Sequence, residues 1–263
     1  MNWDRYNELI ALRDSGRIEE ATTELANLGA AETDPAIKAV VLTQVAGGLG
    51  LLRRFSEARG KVREACTLLG PEHGYYPRLA LEAAVLDIDE GDWKEGLKKL
   101  NAILEKYSAI LQLDDNKDLL EQVQRNRGIA LFEMRRFREA RPILETVRSL
   151  PYQRERTLCS LGMCNYELED LDAAKRDFEE LLSLNPGAVF PAYAHYYLGR
   201  ILYAYGQYAR AKSELEKCLA SSARGNVSDQ ILLQGLIYSC KALNWEDEAT
   251  HYSAMLKKAQ VAP

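Results

Sequence analysis

No stretch of this 263-residue sequence alternates apolar and polar residues as a half-buried strand does, which excludes β architectures and leaves helices. Cysteine is sparse: Cys66, Cys159, Cys164, Cys218 and Cys240 are odd in number and contain no CxxC. That speaks against a disulfide framework, so the five read as small apolar residues of a reducing compartment. Basic charge is also short. The net charge is −5 and the pI is near 5.5, whereas a nucleic-acid binder carries a basic surplus to neutralise phosphates. Long apolar runs are missing too. The longest, Ala39 to Leu52, is broken by Thr43, Gln44 and glycines, and falls short of the ~20 residues a membrane helix requires. The first residues lack the basic and apolar regions of a secretory signal. Together these absences point to a soluble, cytoplasmic protein with no membrane insertion and no nucleic-acid partner.

Chemistry-bearing motifs are absent as well. Gly47-Gly48-Leu49-Gly50 lacks the third glycine of a dinucleotide fingerprint and sits in a helical stretch; no GxxxxGK loop occurs. His73, His195 and His251 lie far apart without metal-ligand spacing. The acidic run Asp87 to Asp92 places its glycine at the fifth rather than the sixth position of a calcium loop, and reads instead as a helix end followed by a cap. Cys159 and Cys164 are five apart, which turns them away from each other on a helix. No catalytic, cofactor-binding or metal-ligating residue is expected, and the chain reads as a non-enzyme.

What the sequence does contain is repetition. Seven times a small residue follows an aromatic or aliphatic one by three or four positions, just past a turn: Ile18/Ala21, Phe55/Ala58, Trp93/Gly96, Phe137/Ala140, Leu171/Ala174, Tyr208/Ala211 and Trp245/Ala249. Successive small residues are 37, 38, 44, 34, 37 and 38 apart. A fixed period of this size means an array of similar units, each burying its surface against its neighbours. The hydrophobic fraction of 47% is that of a folded chain.

Within the units, apolar residues recur at helical spacing in pairs of segments. Over 156–168, Leu158, Leu161, Gly162 and Asn165 share a stripe; Asp170 is a candidate N-cap, Ala174, Phe178 and Leu181 form the next stripe, and Asn185-Pro186 stops it. Gly91 ends one helix, and Asp92 with Glu95 resembles a capping box for the next. Small residues at the crossings, such as Gly128, Gly162 and Gly199, let paired helices approach closely. The 44-residue step contains ten extra residues between Glu105 and Glu121, which predict an elongated pair of helices turning at Asp114-Asp115-Asn116.

These residues resemble the tetratricopeptide repeat. The fifth unit carries Leu161-Gly162, Leu171, Ala174, Phe178, Leu181 and Pro186 at the family's spacing; the sixth carries Leu198-Gly199, Gly206, Tyr208, Ala211 and Leu215. The fourth has Gly128, Phe137, Ala140 and Leu144, with Arg127 in place of Leu. The second has Arg53 where glycine is usual, the third departs at Asp87 and Gly96, and the seventh is open by one residue around Asn244-Trp245. The resemblance implies an all-α, right-handed superhelical solenoid of antiparallel helix pairs with about 14 helices, a single array over 1–263. Its units fall near 2–30, 36–70, 76–113, 118–150, 154–186, 191–222 and 229–260.

The resemblance also implies that first helices line a concave face that holds a protein or peptide partner. Carried onto this chain, the groove residues are Arg125, Asn126, Arg156, Tyr193, Tyr196, Tyr197, Arg200 and Tyr203. Independently, Tyr193, Tyr196, Tyr197 and Arg200 follow i, i+3, i+4, i+7 spacing and share a helix face opposite Leu198, Gly199 and Leu202. Tyr and Arg concentrate binding energy at interfaces; the same tyrosines could equally pack against neighbouring units. The family's cationic clamp for acidic chaperone tails is not present, since Ile129, Ser160, Tyr193 and Tyr197 accompany Arg125 at its positions. The expected function is a protein–protein interaction scaffold. The alternative is a homo-oligomer formed through an uncovered N-terminal edge bearing Trp3, Tyr6, Leu9, Ile10 and Leu12, with Glu246, Asp247, Glu248, Lys257 and Lys258 making a polar cap at the other end.

Overall fold

One turn design, repeated seven times, sets the helix ends. A residue in the left-handed region stands at Gly16, Arg53, Gly91, Arg135, Glu169, Gly206 and Asn244, with φ between 57° and 100°. Each precedes the recurrent small residue by five positions. At Arg53 the N–H donates to Gly50 O at 2.8 Å and that of Arg54 to Leu49 O at 2.8 Å; at Glu169 the acceptors are Tyr166 O and, from Asp170, Asn165 O. This Schellman arrangement satisfies carbonyls that the helix end orphans. It also fixes the seventh turn at Asn244, so Trp245 precedes the following helix rather than opening it.

The computed structural model describes residues 2–151, 153–184, 187 and 189–261. The chain is 80% helical, with fifteen α-helices and no strand among the described residues. It divides into two compact units, Met1–Arg135 and Arg136–Pro263.

The first unit holds α1 (Trp3–Asp14), α2 (Ile18–Ala31), α3 (Pro35–Leu51), α4 (Phe55–Leu68), α5 (Tyr76–Glu90), α6 (Trp93–Lys106), the short α7 (Ser108–Leu111) and α8 (Lys117–Glu133). Asp34 caps α3 by accepting from the N–H of Ala36 and Ile37, with Pro35 pre-set at the first turn. Asp92 caps α6 through the Glu95 N–H, as the sequence predicts. Leu9, Leu25, Val45, Leu49, Val62 and Leu86 form a continuous core across α1 to α5. Asp87 is buried, and its carboxylate takes Arg59 Nη2 at 2.9 Å and Lys99 Nζ at 2.5 Å. Its place in the acidic run is therefore that of a clamp between α4, α5 and α6.

Only half of the expected elongated pair forms: α8 runs 17 residues from Lys117, whereas α6 has 14. The α6 helix stops at Lys106, and Tyr107 leaves the helical path (φ −113°, ψ 22°). Its ring turns inward to 7% exposure and sits 6.3 Å from that of Tyr76. A separate turn, α7, follows, with Leu111 buried, and then a 3-10 turn at Asp114–Asn116. Burying Tyr107 and Leu111 is worth more than extending a solvent-exposed helix.

The second unit holds α9 (Phe137–Thr146), α10 (Arg154–Glu167), α11 (Leu171–Ser183), α12 (Val189–Ala204), α13 (Tyr208–Ala220), α14 (Asp229–Ala242) and α15 (Glu246–Val261). Asp170 caps α11 through the Ala173 N–H at 3.2 Å. Asn185 and Pro186, expected to end that helix, lie outside the described residues. The predicted stripes are buried: Leu158, Leu161, Ala174, Phe178 and Leu181 all have 0% exposure. Glycine is required where paired helices touch. A Cβ on Gly162 would stand 2.9 Å from the Phe178 ring, and one on Gly199 would stand 2.7 Å from Leu215 Cγ. On α15, Glu246, Asp247, Glu248, Lys257 and Lys258 are exposed.

Candidate partner-binding site

The eight residues assigned to the groove occupy different surroundings. Arg125 and Asn126 lie on α8 of the first unit and are buried, at 2% and 6% exposure; Asn126 Nδ2 donates to Gln122 O at 2.9 Å. The other six belong to the second unit. Arg156 is half-buried on α10. Tyr193 uses its hydroxyl to accept the Asn226 N–H at 3.1 Å, pinning the loop before α14. Tyr197 stacks on Phe178 with ring centroids 5.2 Å apart and planes 6° apart, and meets Tyr166 edge-on at 5.0 Å. Burial raises the pKa of its hydroxyl far above the usual phenol value. It is a core residue.

Tyr196, Arg200 and Tyr203 come together instead at a cavity of about 460 Å³ among α10, α12 and α14. They form its α12 wall, one turn apart. Ile231, Gln234 and Tyr238 form the α14 wall at the same helical spacing, and Tyr166 closes the α10 side. Leu215 of α13 is the floor. The depth comes from two missing side chains. A Cβ on Gly235 would meet Leu215 Cδ1 at 2.9 Å, as one on Gly199 meets Leu215 from the other wall. Both helices therefore settle against one leucine and leave a trough between their upper turns. Tyr203, Ile231 and Tyr238 expose 39%, 45% and 58% of their surfaces around it, an apolar concentration that monomeric surfaces seldom leave open without use.

The sequence reading passes over the α14 wall. Its signal was available: Ile231, Gln234, Gly235 and Tyr238 repeat the i, i+3, i+4, i+7 spacing of the tyrosine face on α12.

Arg200 supplies the only formal charge among the lining residues. Its guanidinium lies 5.0 Å from the Tyr166 ring centroid and 5.6 Å from that of Tyr196, and Nη1 donates to the Tyr196 hydroxyl at 3.2 Å. No carboxylate pairs with it among the described residues. Three other arginines of inter-helix contacts do pair with carboxylates: Arg59 with Asp87 and Glu90, Arg141 with Asp170, Arg148 with Asp177 and Glu180.

In the first unit the polar groups of the first helices are engaged with one another. Arg13 Nη1 donates to Gln44 Oε1 at 2.8 Å, and Arg78 makes a bidentate pair with Asp118 at 2.8 and 2.9 Å. Glu82, half-buried on α5, has its pKa pushed up to about 7 by burial and by Asp89, against the opposing pull of Arg13.

His195 is a packed imidazole, with Nδ1 2.6 Å from Glu214 Oε2. All five cysteines are free thiols and four are buried. Burial pushes the Cys164 thiol up to about 12 and the Cys218 thiol up to about 11, which removes the thiolate that reactive cysteines need. No group of three or more metal-ligating side chains gathers among the described residues. None of the described helices is long and apolar enough to cross a membrane.

Residues 155–187 match the tetratricopeptide repeat family model. No curated protein matches the sequence. Among solved structures, the chain is similar to PilF of Pseudomonas aeruginosa at 22% identity, over 84% of this chain and 90% of that one, with a TM-score of 0.64. It is similar to PilW, described as a type IV pilus biogenesis factor, at 18% identity over 84% and 92%, with a TM-score of 0.61. A tetratricopeptide repeat protein from Parabacteroides merdae matches at 17% identity over 97% and 92%, with a TM-score of 0.53. Residues 155–187 are thus a tetratricopeptide repeat, and with its recurrent turn and these likenesses the chain has the all-α fold of tetratricopeptide-repeat solenoids.

Proposed function

We propose that the protein is a non-enzymatic interaction scaffold that holds a peptide or partner helix in the trough between α12 and α14 of its second unit. The observation that carries this reading is the 460 Å³ cavity walled by Tyr196, Arg200 and Tyr203 on one side and Ile231, Gln234 and Tyr238 on the other. Tyrosine presents a large apolar body and a polar tip at low entropic cost, and Gln234 can meet the backbone of an extended segment. Tyr203 and Tyr238 are exposed, so changing both to Ser leaves the fold intact. Affinity capture from cells of the native organism, run in parallel with wild type and with the Tyr203→Ser/Tyr238→Ser variant, tests the reading. Partners that appear with wild type and vanish with the variant support it; an identical set from both proteins refutes it. The buried free thiols accord with a reducing, cytoplasmic setting for this scaffold, with protein rather than nucleic acid as partner.

A second reading, self-association through α1, is favoured by Trp3, which is 49% exposed and meets Tyr6 edge-on at 5.5 Å. Leu9 of the same helix is already covered, at 1% exposure. Sedimentation at several concentrations decides it: a mass that rises with concentration in wild type and not in Trp3→Ser is the expected result, and a constant monomer mass removes it.

A further inference from the structure

We propose that the occupant of the trough is an acidic segment of a partner protein, in which a bulky apolar side chain is flanked within two residues by an Asp or Glu. The inference rests on the trough being the partner site and adds the chemistry of what it takes.

The cavity has one charge and an apolar floor. Leu215 and Ile231, with the rings of Tyr203 and Tyr238, make the deeper lining predominantly apolar, so the anchor is apolar. Arg200 stands at the edge of this pocket. In a chain with a net charge of −5, Arg59, Arg141 and Arg148 have found carboxylates at neighbouring helices, whereas Arg200 meets rings and a hydroxyl. Contact with the Tyr166 and Tyr196 rings and the bond to the Tyr196 hydroxyl restrain its guanidinium before any partner arrives. That lowers the entropic cost of a paired, two-pronged hydrogen bond to a carboxylate. No acid lines the cavity to attract a basic segment, and Arg200 repels one. A carboxylate one or two residues from the anchor lies within the reach of one arginine side chain of the cavity.

Random dodecapeptides displayed on phage and selected on the full chain supply defined probes. Selected binders are expected to carry Asp or Glu within two positions of Phe, Tyr, Trp, Leu, Ile or Met. For the best binder, made as a synthetic peptide blocked at both ends, replacing the acid by its amide should weaken binding about tenfold. Arg200→Gln should weaken it by a similar factor, and both changes together by no more than either alone. The mutual silence of the two changes is what a merely structural role for Arg200 would not produce. Because the peptide-side change is read on wild-type protein, the test holds even if Arg200→Gln alters stability. Peptides that need Tyr203 and Tyr238 but are indifferent to their acid overturn this proposal and leave the trough reading standing. Peptides indifferent to both tyrosines, or no selected peptide at all, overturn both. Concentration-dependent self-association that Arg200→Gln abolishes would make a second copy the occupant and would also overturn it.

Discussion

Tyr196 and Tyr197 are neighbours in the chain and are turned about 100° apart by the helix that carries them. Tyr197 goes down onto Phe178 and Tyr196 out toward Arg200. A face written i, i+3, i+4, i+7 is wide, and its edge can be claimed by a neighbouring helix pair; in α12 that edge is Tyr197. Its removal should therefore register as lost packing. Tyr197→Ala should cost about 3–5 kcal/mol, the range for deleting a buried aromatic, whereas Tyr203→Ala, at an exposed site, should stay within about 0.5 kcal/mol. Urea unfolding of the two variants checks this, and equal midpoints would contradict the assignment of Tyr197 to the core. The lining of the trough was partly legible at this scale: Tyr196, Arg200 and Tyr203 stand out by residue type. Ile231 and Gln234 did not, because an exposed Ile or Gln on a helix is ordinary until a second wall stands opposite.

At the scale of the element, the turn explains the small residue. The left-handed residue ends one helix, and five positions later the next helix has come round to face its partner, where Ala174 is wholly buried. Ala174→Leu should overpack this crossing and cost roughly 1–3 kcal/mol, seen as a lower melting temperature. The opposite change is available one turn earlier. Glu169 is exposed and sits at φ 64°, a conformation that disfavours any residue with a Cβ. Glu169→Gly should raise stability by about 0.5–1 kcal/mol, the relief of that strain less the entropy glycine adds to the unfolded chain. A fall in the urea midpoint would show that the Glu169 side chain itself stabilises the turn. The sequence marked the glycine turns at Gly91 and Gly206 plainly. At Arg53, Arg135 and Glu169 the repeat spacing placed the turn, but residue type did not announce its left-handed geometry, because there the backbone bonds of the Schellman pattern impose it. The interruption at Tyr107 was hidden for a related reason: Lys106 to Leu113 keeps helical spacing, and only the tertiary burial of Tyr107 breaks it.

For the whole molecule, one carboxyl in each unit has its pKa raised above the usual carboxylate range. Burial and Asp89 raise Glu82 to about 7. Burial raises Asp177 to about 6, outweighing the Asn165 hydrogen bond and Arg148. Both pKa values lie above those of the unfolded chain, so the folded state keeps protons that the unfolded state releases. The stability this confers is fully present below the unfolded values and is lost as pH rises through about 6 and then about 7. Asp118 and Glu57 act in the other direction. Arg78 and Arg54 lower their pKa values, and their contribution is lost as pH falls through the acid range. The melting temperature should be higher at about pH 5.5 than at about pH 8 and should fall again below about pH 4. Glu82→Gln should flatten the upper limb by stabilising the protein at about pH 8; an unchanged slope there would show that Glu82 titrates normally.

The sequence by itself determined the all-α class, the period and the positions of the helix pairs, because turn spacing and apolar stripes are local and repeat seven times. Tertiary structure alone decided which tyrosines are core and which line the trough. It decided as well that α14 supplies the second wall, and that no carboxylate pairs with Arg200 among the described residues. Each of those depends on what a neighbouring helix places opposite a residue, and a linear pattern records the face a side chain shares but not what it meets.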